Sequence, residues 1–281
     1  MKRSHRLVDL TYYLLQNPQK LIPLTYFAEK YDSAKSSISE DLTIVKTTLE
    51  EKSYGTLVTV AGASGGVKYI PIANINESKE LLNEMKQLLE NSERLLPGGY
   101  LYISDLLGDP RYVNSIGRIM SSAFIGKEID CVMTVATKGI PIAYAVASNL
   151  NKPVIIVKRD SELTEGSTVN VNYISGSTKR IQTMVLSKRA LAPKTKVLII
   201  DDFMKAGGTI NGMITLLEEF GATVAGIGVF IESEEKEDTL INEYISLLKL
   251  KNVDIKHKCI SIDSGNYINA FDKASEDLVK E

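Results

Sequence analysis

Several ways of building a protein are closed to this chain by what it lacks. It has two cysteines, Cys131 and Cys259, too few and too widely spaced for a disulfide framework or a cysteine-based zinc site. Both lie in apolar, strand-like runs and are expected to be buried thiols. No apolar run approaches the ~20 residues needed to span a bilayer. Residues 1–6 are polar and basic, and no apolar segment or cleavage site of a secretory signal follows them. There is no internal repeat and no low-complexity segment. No single charge dominates: the formal net charge is −2, so the chain as a whole is not a polycation. These absences leave a soluble cytoplasmic protein as the expectation. The 281 residues, 44% of them hydrophobic, can fill one large core or two smaller ones.

The most informative stretch is Val197 to Thr209. Val197–Ile200 is an unbroken aliphatic run, the pattern of a strand buried on both faces. Asp201 and Asp202 stand where that strand should end. Phe203 and Met204 follow, then a short loop of Lys205, Ala206, Gly207, Gly208 and Thr209, and Ile210, Met213, Leu216 and Leu217 are spaced for one face of a helix. In a parallel sheet, ligands sit beyond the carboxyl ends of the strands. Two carboxylates there accept hydrogen bonds from hydroxyls, while glycines and a helix amino terminus turn backbone N–H groups toward an anion. The chemistry points to a hydroxylated sugar carrying phosphate, with the diol on Asp201 and Asp202 and the phosphate on the loop and Thr209. The same strand, acidic pair and helix also occur in receiver domains and other doubly wound folds that bind no sugar phosphate.

These thirteen residues resemble the phosphoribosyl pyrophosphate (PRPP) motif of type I phosphoribosyltransferases, a pattern far more specific than a lone Gly-x-Gly. The resemblance implies further contacts. Ile129–Thr134 reads as a strand leading into Thr137, Lys138 and Gly139 and then a helix over Ile142–Leu150; the family grips pyrophosphate with this loop. Pro153–Val157 is a third strand, ending in Lys158 and Arg159, placed near pyrophosphate in the family or else a solvated surface pair. Residues 161–190 are polar, with Val169, Val171 and Tyr173 alternating before Ile181, Met184 and Leu186. They read as a flap that brings Tyr173, Lys179, Arg180 and Lys188 within reach of a ligand. Tyr100 and Tyr102 alternate in a strand-like segment, and Tyr100 can stack on a purine or simply pack between layers.

Elsewhere the periodicity predicts a helix over Glu77–Leu95, another over Val113–Phe124, a strand over Val224–Ile231, a solvated acidic turn over Glu232–Asp238, a helix over Thr239–Leu250 and an edge strand over Val253–Ile262. The βα alternation from Ile129 to Ile231 argues for a doubly wound, mainly parallel sheet.

The amino-terminal part differs in character. Residues 1–73 hold nine Lys/Arg and seven Asp/Glu, net +2, and the remainder is net −4, a small tilt of the sign that suits a polyanion. Leu7, Leu10 and Leu14 mark a first helix ending before Pro18. Pro23 opens a second, and Ser33 is placed to cap a third running from Ala34 to about Glu51, with Ile38, Leu42, Val45 and Leu49 as its buried stripe. Its opposite face carries Ser36, Glu40, Thr43 and Thr47, flanked by Lys35 and Lys46, with Ser37 nearby. Leu57–Val60 and Val67–Ile70, the latter containing Lys68, flank a glycine-rich loop as a hairpin. The order resembles a winged helix-turn-helix, its third helix entering the major groove and its hairpin forming the wing. Lys2, Arg3 and Arg6 form a basic arm able to reach phosphates. The plain alternative is a small helical domain that makes protein contacts.

A winged helix-turn-helix over 1–73 followed by a type I phosphoribosyltransferase-like domain over 78–281 resembles one family, the PRPP-responsive repressors of purine biosynthesis genes in Gram-positive bacteria. Ala34–Leu42, Leu96–Tyr100, Thr137–Ile140 and Asp201–Thr209 all match that family's motifs. The resemblance implies a homodimer that binds double-stranded operator DNA. It implies release by PRPP, with or without Mg²⁺, and competition by purine nucleotides such as guanosine tetraphosphate. It implies no catalytic cofactor and no membrane. The alternative is an active purine phosphoribosyltransferase with an appended regulatory domain. Lys205 stands where those enzymes commonly have a small residue, and no base-recognition segment is evident after Val253.

Overall fold

The computed structural model describes residues 1–62, 64–160, 165–174, 180–234 and 241–271. The chain divides into two compact units, one of Met1–Asn74 with Ser148–Asn151 and one of Ile75–Ala147 with the chain from Lys152 onward.

The first unit contains α1 (Arg3–Gln16), α2 (Leu24–Tyr31), α3 (Lys35–Glu51), β1 (Thr56–Val60) and β2 (Gly66–Ile70). Leu10 and Leu14 of α1, Phe27 of α2 and Ile38 of α3 are wholly buried together. Each contributes roughly 1.5–3 kcal/mol by leaving water. The stripe Ile38, Leu42, Val45 and Leu49 is buried as its spacing predicts. The strands pair antiparallel from Thr56↔Ile70 to Val60↔Gly66, and Ile22 adds a bridge to Val67. Ser33 does not cap α3; Ala34 holds that position. The Ser33 hydroxyl instead accepts from Arg6 and donates to the Tyr31 carbonyl, so a buried arginine takes the oxygen that would have met the helix N–H.

The second unit runs through α4 (Ile75–Leu89), β3 (Leu95–Leu96), β4 (Tyr100–Leu101), α5 (Ser104–Gly108), α6 (Pro110–Ser122), β5 (Cys131–Val135), α7 (Gly139–Leu150), β6 (Val154–Val157), β7 (Thr168–Ile174), β8 (Ile181–Ser187), β9 (Lys196–Met204), α8 (Gly208–Glu219), β10 (Thr223–Ser233), β11 (Ile245–Asp254) and β12 (Cys259–Ser264). Six strands form one sheet in the order β12-β11-β10-β9-β5-β6. Every pair is parallel except β11–β12. Val197, Leu198, Ile199 and Ile200 of β9 have no exposed surface, as a strand with neighbours and covered faces requires. β7 and β8 form the separate hairpin expected for the flap, from Thr168↔Ser187 to Ile174↔Ile181.

Three expectations are corrected. The segment ending at Leu250 is not helical where described: Ile245–Asp254 is β11, paired with β10 from Gly228↔Ile245 to Ser233↔Leu250. Its run Ile-Ser-Leu-Leu-Lys-Leu fits either periodicity, and pairing to a buried strand decides. The edge strand is shorter, over Cys259–Ser264. Glu232 is no solvated turn residue. It is buried at the end of β10, accepting from the hydroxyls of Tyr244 and Ser246. Residues 235–238 of the expected acidic turn, and Lys179 of the flap, lie outside the described residues. The thiols differ from expectation too: Cys131 is buried, and burial pushes it up to about 11, but Cys259 is exposed. Among the described residues no helix is long and apolar enough to cross a membrane.

Candidate functional site

β9 delivers Asp201 and Asp202 to the carboxyl edge of the sheet, and the chain then turns into α8 through Gly207. That glycine is the residue before the helix and has φ of 76°, a left-handed conformation that disfavours any side chain. A Cβ there would also meet Ile241 Cγ1 at 2.8 Å. Asp201 is 4% exposed, and its Oδ1 accepts the Asp202 N–H at 3.0 Å. Burial, and then the neighbouring Asp202 charge, push its carboxyl well above the ordinary range. Burial also raises Asp202, opposed by its hydrogen bond with Asp201, the Lys138 charge and the Thr137 hydroxyl. A pair so short of solvation favours ligands that bring hydroxyl donors or positive charge to it.

Asp201, Asp202 and every residue from Phe203, still in β9, to Thr209, in the first turn of α8, line one cavity of about 470 Å³, a volume suited to a nucleotide-sized ligand. Thr137, Lys138, Arg159 and Tyr100 line it as well. Gly139 lies under the acidic pair: a Cβ there would come within 2.6 Å of Thr134 Oγ1 and 3.5 Å of Asp201 Oδ1. The lining thus includes cations and donors, from Thr137, Lys138, Arg159 and the α8 amino terminus. Apolar lining comes from Leu101, Ile103, Val253 and Ile255.

Five expected ligand contacts are not in the cavity wall: Gly139, Lys158, Tyr173, Arg180 and Lys188. Lys158 forms an ion pair with Glu165 at 2.5 Å, and its backbone bridges Val185 of β8, so local pairing holds its ammonium. Tyr173 is buried against α8, with its hydroxyl donated to Gln182 Oε1. Gly98, Gly99, Ser233, Lys251 and Asn252 line the cavity without having been anticipated. The last two stand near the carboxyl end of β11, which reading that segment as a helix concealed. Among the described residues no group of three or more His, Cys, Asp or Glu is arranged to hold a metal ion. The two aspartates are therefore too few to cage Mg²⁺ alone, and such an ion would need oxygens from the ligand.

In the first unit α3 exposes Lys35, Ser36, Glu40, Thr43, Lys46 and Thr47, with Ser37 and Lys68 half-buried and Lys2 exposed. Ile44, 44% exposed on the same surface, was not anticipated because its neighbours are polar. Arg6 is corrected. Only 9% exposed, it donates from Nε to Asp41 Oδ2 at 2.6 Å and from Nη1 to Ser33 at 3.0 Å. Its charge is spent inside the fold. Arg3 also grips Asp41 and lies 3.6 Å from Glu40, but stays half exposed. Lys46 lies 3.8 Å from Glu50.

Comparison with known proteins matches both units. Residues 2–71 match the family described as bacterial purine repressor, N-terminal, and residues 104–264 match the phosphoribosyl transferase domain. The purine biosynthesis transcriptional repressor PurR of Bacillus subtilis is 58% identical over 270 residues, covering 96% of this chain and 95% of that one. The purine biosynthesis transcriptional activator PurR of Lactococcus lactis is 46% identical over 269 residues, covering 96% and 99%. The crystal structure of adenine phosphoribosyltransferase from Thermoanaerobacter pseudethanolicus superposes with a TM-score of 0.51 at 20% identity, covering 59% of this chain and 98% of that one. That likeness establishes the fold of the second unit and nothing of its chemistry.

Proposed function

Because this chain belongs to the bacterial purine repressor family, we propose that it is a transcriptional repressor of purine biosynthesis genes whose hold on operator DNA is relieved by PRPP. The supporting observation is the cavity. Its wall holds two desolvated carboxylates together with Thr137, Lys138, Arg159 and the α8 amino terminus, the groups a ribose diol and a pyrophosphate need together. The first unit supplies the exposed helix face of α3 for the major groove, with the β1–β2 hairpin as the wing. The ligand carries its own Mg²⁺ where one is used. Purine nucleotides such as guanosine tetraphosphate compete for the same cavity, their phosphates taken by its cationic and donor groups. The working species is a cytoplasmic homodimer.

The coupling is reciprocal: if PRPP weakens operator binding, operator weakens PRPP binding by the same factor, and a tenfold effect is about 1.4 kcal/mol. Lys205 places a cation in the phosphate loop, which favours holding an anion over passing it on. The reading is tested by selecting fragments of the source genome on purified protein with and without PRPP. Recovery of fragments upstream of purine genes, lost on adding PRPP, is expected. Recovery of no specific fragment in either condition defeats the DNA-binding reading. Pyrophosphate release dependent on a purine base would replace it with an active phosphoribosyltransferase.

A further inference from the structure

Gly98–Leu101, which line the cavity, belong to a very small hairpin. β3 and β4 pair only at Leu95↔Leu101 and Leu96↔Tyr100, and a hairpin of this size is at best marginally stable by itself. Its tip is tight. The Gly99 N–H donates to the Leu96 carbonyl at 3.1 Å, and Gly98 and Gly99 take φ of 85° and 78°, a conformation that favours glycine. A Cβ at Gly99 would lie 3.5 Å from Ile255 Cδ1, so the tip lies against Ile255. The open end is closed by one residue. The Arg94 carbonyl accepts the Tyr102 N–H at 2.8 Å, and Arg94 Nη1 donates back to the Tyr102 carbonyl at 3.0 Å. The same guanidinium grips Asp105, Nη1 to Oδ1 and Nη2 to Oδ2, each at 2.7 Å. Asp105 is in the first turn of α5, whose Leu106 and Leu107 are buried, so the pair fastens the hairpin to a packed element. A two-pronged contact of this kind fixes direction as well as distance. The Arg94 side chain is 14% exposed, and its bonds hold the Asp105 carboxyl below the ordinary range. Neither residue lines the cavity.

We propose that Arg94 and Asp105 are positioning residues for a purine base: their ion pair holds the Leu95–Leu101 hairpin as a wall against which the base lies, so nucleotide ligands depend on the pair and PRPP does not. The proposal rests on the effector reading of the cavity given above and divides it by ligand class. PRPP offers a ribose diol, a phosphate and a pyrophosphate, which Asp201, Asp202, Lys138, Arg159 and the phosphate loop suit. It has nothing to set against Leu101, Ile103, Val253 and Ile255. A purine ring does, and Tyr100, 51% exposed in the same lining, offers it an aromatic face. A hairpin held in place before the ligand arrives spares the base the cost of ordering it.

The experiment measures binding of PRPP and of guanosine tetraphosphate to the full chain by calorimetry. Arg94→Met keeps the aliphatic stem and removes both prongs. It should weaken guanosine tetraphosphate binding roughly three- to tenfold, the effect of one ordinary hydrogen bond, and leave PRPP within about twofold. Asp105→Asn should do the same. The double variant should bind within about twofold of the weaker single variant, because both changes break one contact. Amide exchange at Gly99 and Tyr102 should quicken in each. Arg94→Lys keeps the charge without the fork and should show a smaller loss with the same selectivity, which carries the test if Arg94→Met fails to fold. Equal weakening of both ligands would overturn the assignment, since the pair would then support the whole cavity, and so would unchanged nucleotide binding in Arg94→Met. A wild-type chain that binds PRPP but not guanosine tetraphosphate would overturn it and leave the PRPP reading in place. A wild-type chain that binds neither would overturn both.

Discussion

Arg6→Met separates two roles that a basic residue near a DNA-binding helix can play. Asp41 has no exposed surface, and its carboxylate is held by Arg6 at 2.6 Å and Arg3 at 2.9 Å. Burial alone would raise this carboxyl; Arg6 and Arg3 more than offset it, and the net position is below the ordinary carboxylate range. Removing one partner of a buried ion pair costs about 3–5 kcal/mol. Arg3 remains in contact, so the low end, about 3 kcal/mol, is expected. That is a large share of the 5–15 kcal/mol typical of a domain. Arg3→Met removes a half-exposed cation while Arg6 stays, and should cost about 1 kcal/mol or less. The pH dependence follows by linkage. In the wild type Asp41 contributes stability above its unfolded value near 3.9, lost as pH falls through the lower folded value. In Arg6→Met the stranded carboxyl is penalised when charged, so the deficit is largest at neutral pH and shrinks as acid protonates it. Hydrogen exchange of the α3 amides in the full chain measures the loss. Operator binding against salt concentration then distinguishes the roles. A structural Arg6 leaves the slope unchanged at temperatures where α3 stays protected, whereas losing a phosphate contact lowers it by about 0.9. A reduced slope with unaltered exchange would refute the structural role and return Arg6 to the DNA.

Asp201→Asn should raise the melting temperature of the second unit at neutral pH while weakening PRPP binding by about tenfold or more. The folded carboxyl is raised by burial, so its contribution is intact below the ordinary value near 3.9 and lost as pH rises through the folded one, and the gain should fade toward pH 4. A variant that melts lower at neutral pH would show that Asp201 is stabilising rather than desolvated. Gly207→Ala must hold φ of 76° with a Cβ 2.8 Å from Ile241 Cγ1, at about 1–2 kcal/mol for the backbone alone. PRPP affinity by calorimetry should fall about tenfold, and a wild-type value would mean the loop does not need this turn. Gly117→Ala would set a Cβ 2.4 Å from Ala145 Cβ, forcing α6 from α7 at about 1–3 kcal/mol in urea unfolding; unchanged stability would contradict that close approach.

What was legible in the sequence tracks where local pattern and tertiary environment agree. The run Val197–Thr209 announced strand, acidic pair, loop and helix because burial on both faces, turn chemistry and helical spacing coincide there. The stripe of α3 was equally plain, since one face of one period is buried. Failures cluster where a residue's role is settled by a distant partner. Arg6 reads as a basic arm until Asp41, on another helix, claims it. Tyr173 alternates correctly along its strand, yet nothing local shows that Gly212 leaves room for it on α8. Ile245–Leu250 satisfies helical and strand spacing at once, and only pairing with β10 settles it. That error spread, because a misread strand hides the residues at its carboxyl end, and Lys251 and Asn252 were lost with it.

The size of the effector coupling decides whether this architecture can work as a switch. Suppose the chain is present at about ten times its dissociation constant for an operator, giving occupancy near 90%. A tenfold loss of affinity, about 1.4 kcal/mol, lowers occupancy to about half, so the free operator rises only about fivefold, from about 9%, and release is incomplete. A hundredfold loss, about 2.7 kcal/mol, brings it to roughly 9%. That lies within the 1–3 kcal/mol usual for allosteric coupling, but near its upper end. The expected result is therefore that saturating PRPP weakens operator binding by about a hundredfold, measured by fluorescence anisotropy at fixed salt. By reciprocity, saturating operator must weaken PRPP binding by the same factor. The sign at a promoter is then set by operator position: occupancy over the polymerase site blocks transcription, and occupancy upstream of it can assist. Moving one operator between those two positions in a reporter should invert the response to PRPP without altering the coupling. A response that keeps its sign at both positions, with a coupling below tenfold, would show that PRPP acts on transcription by some route other than release from DNA.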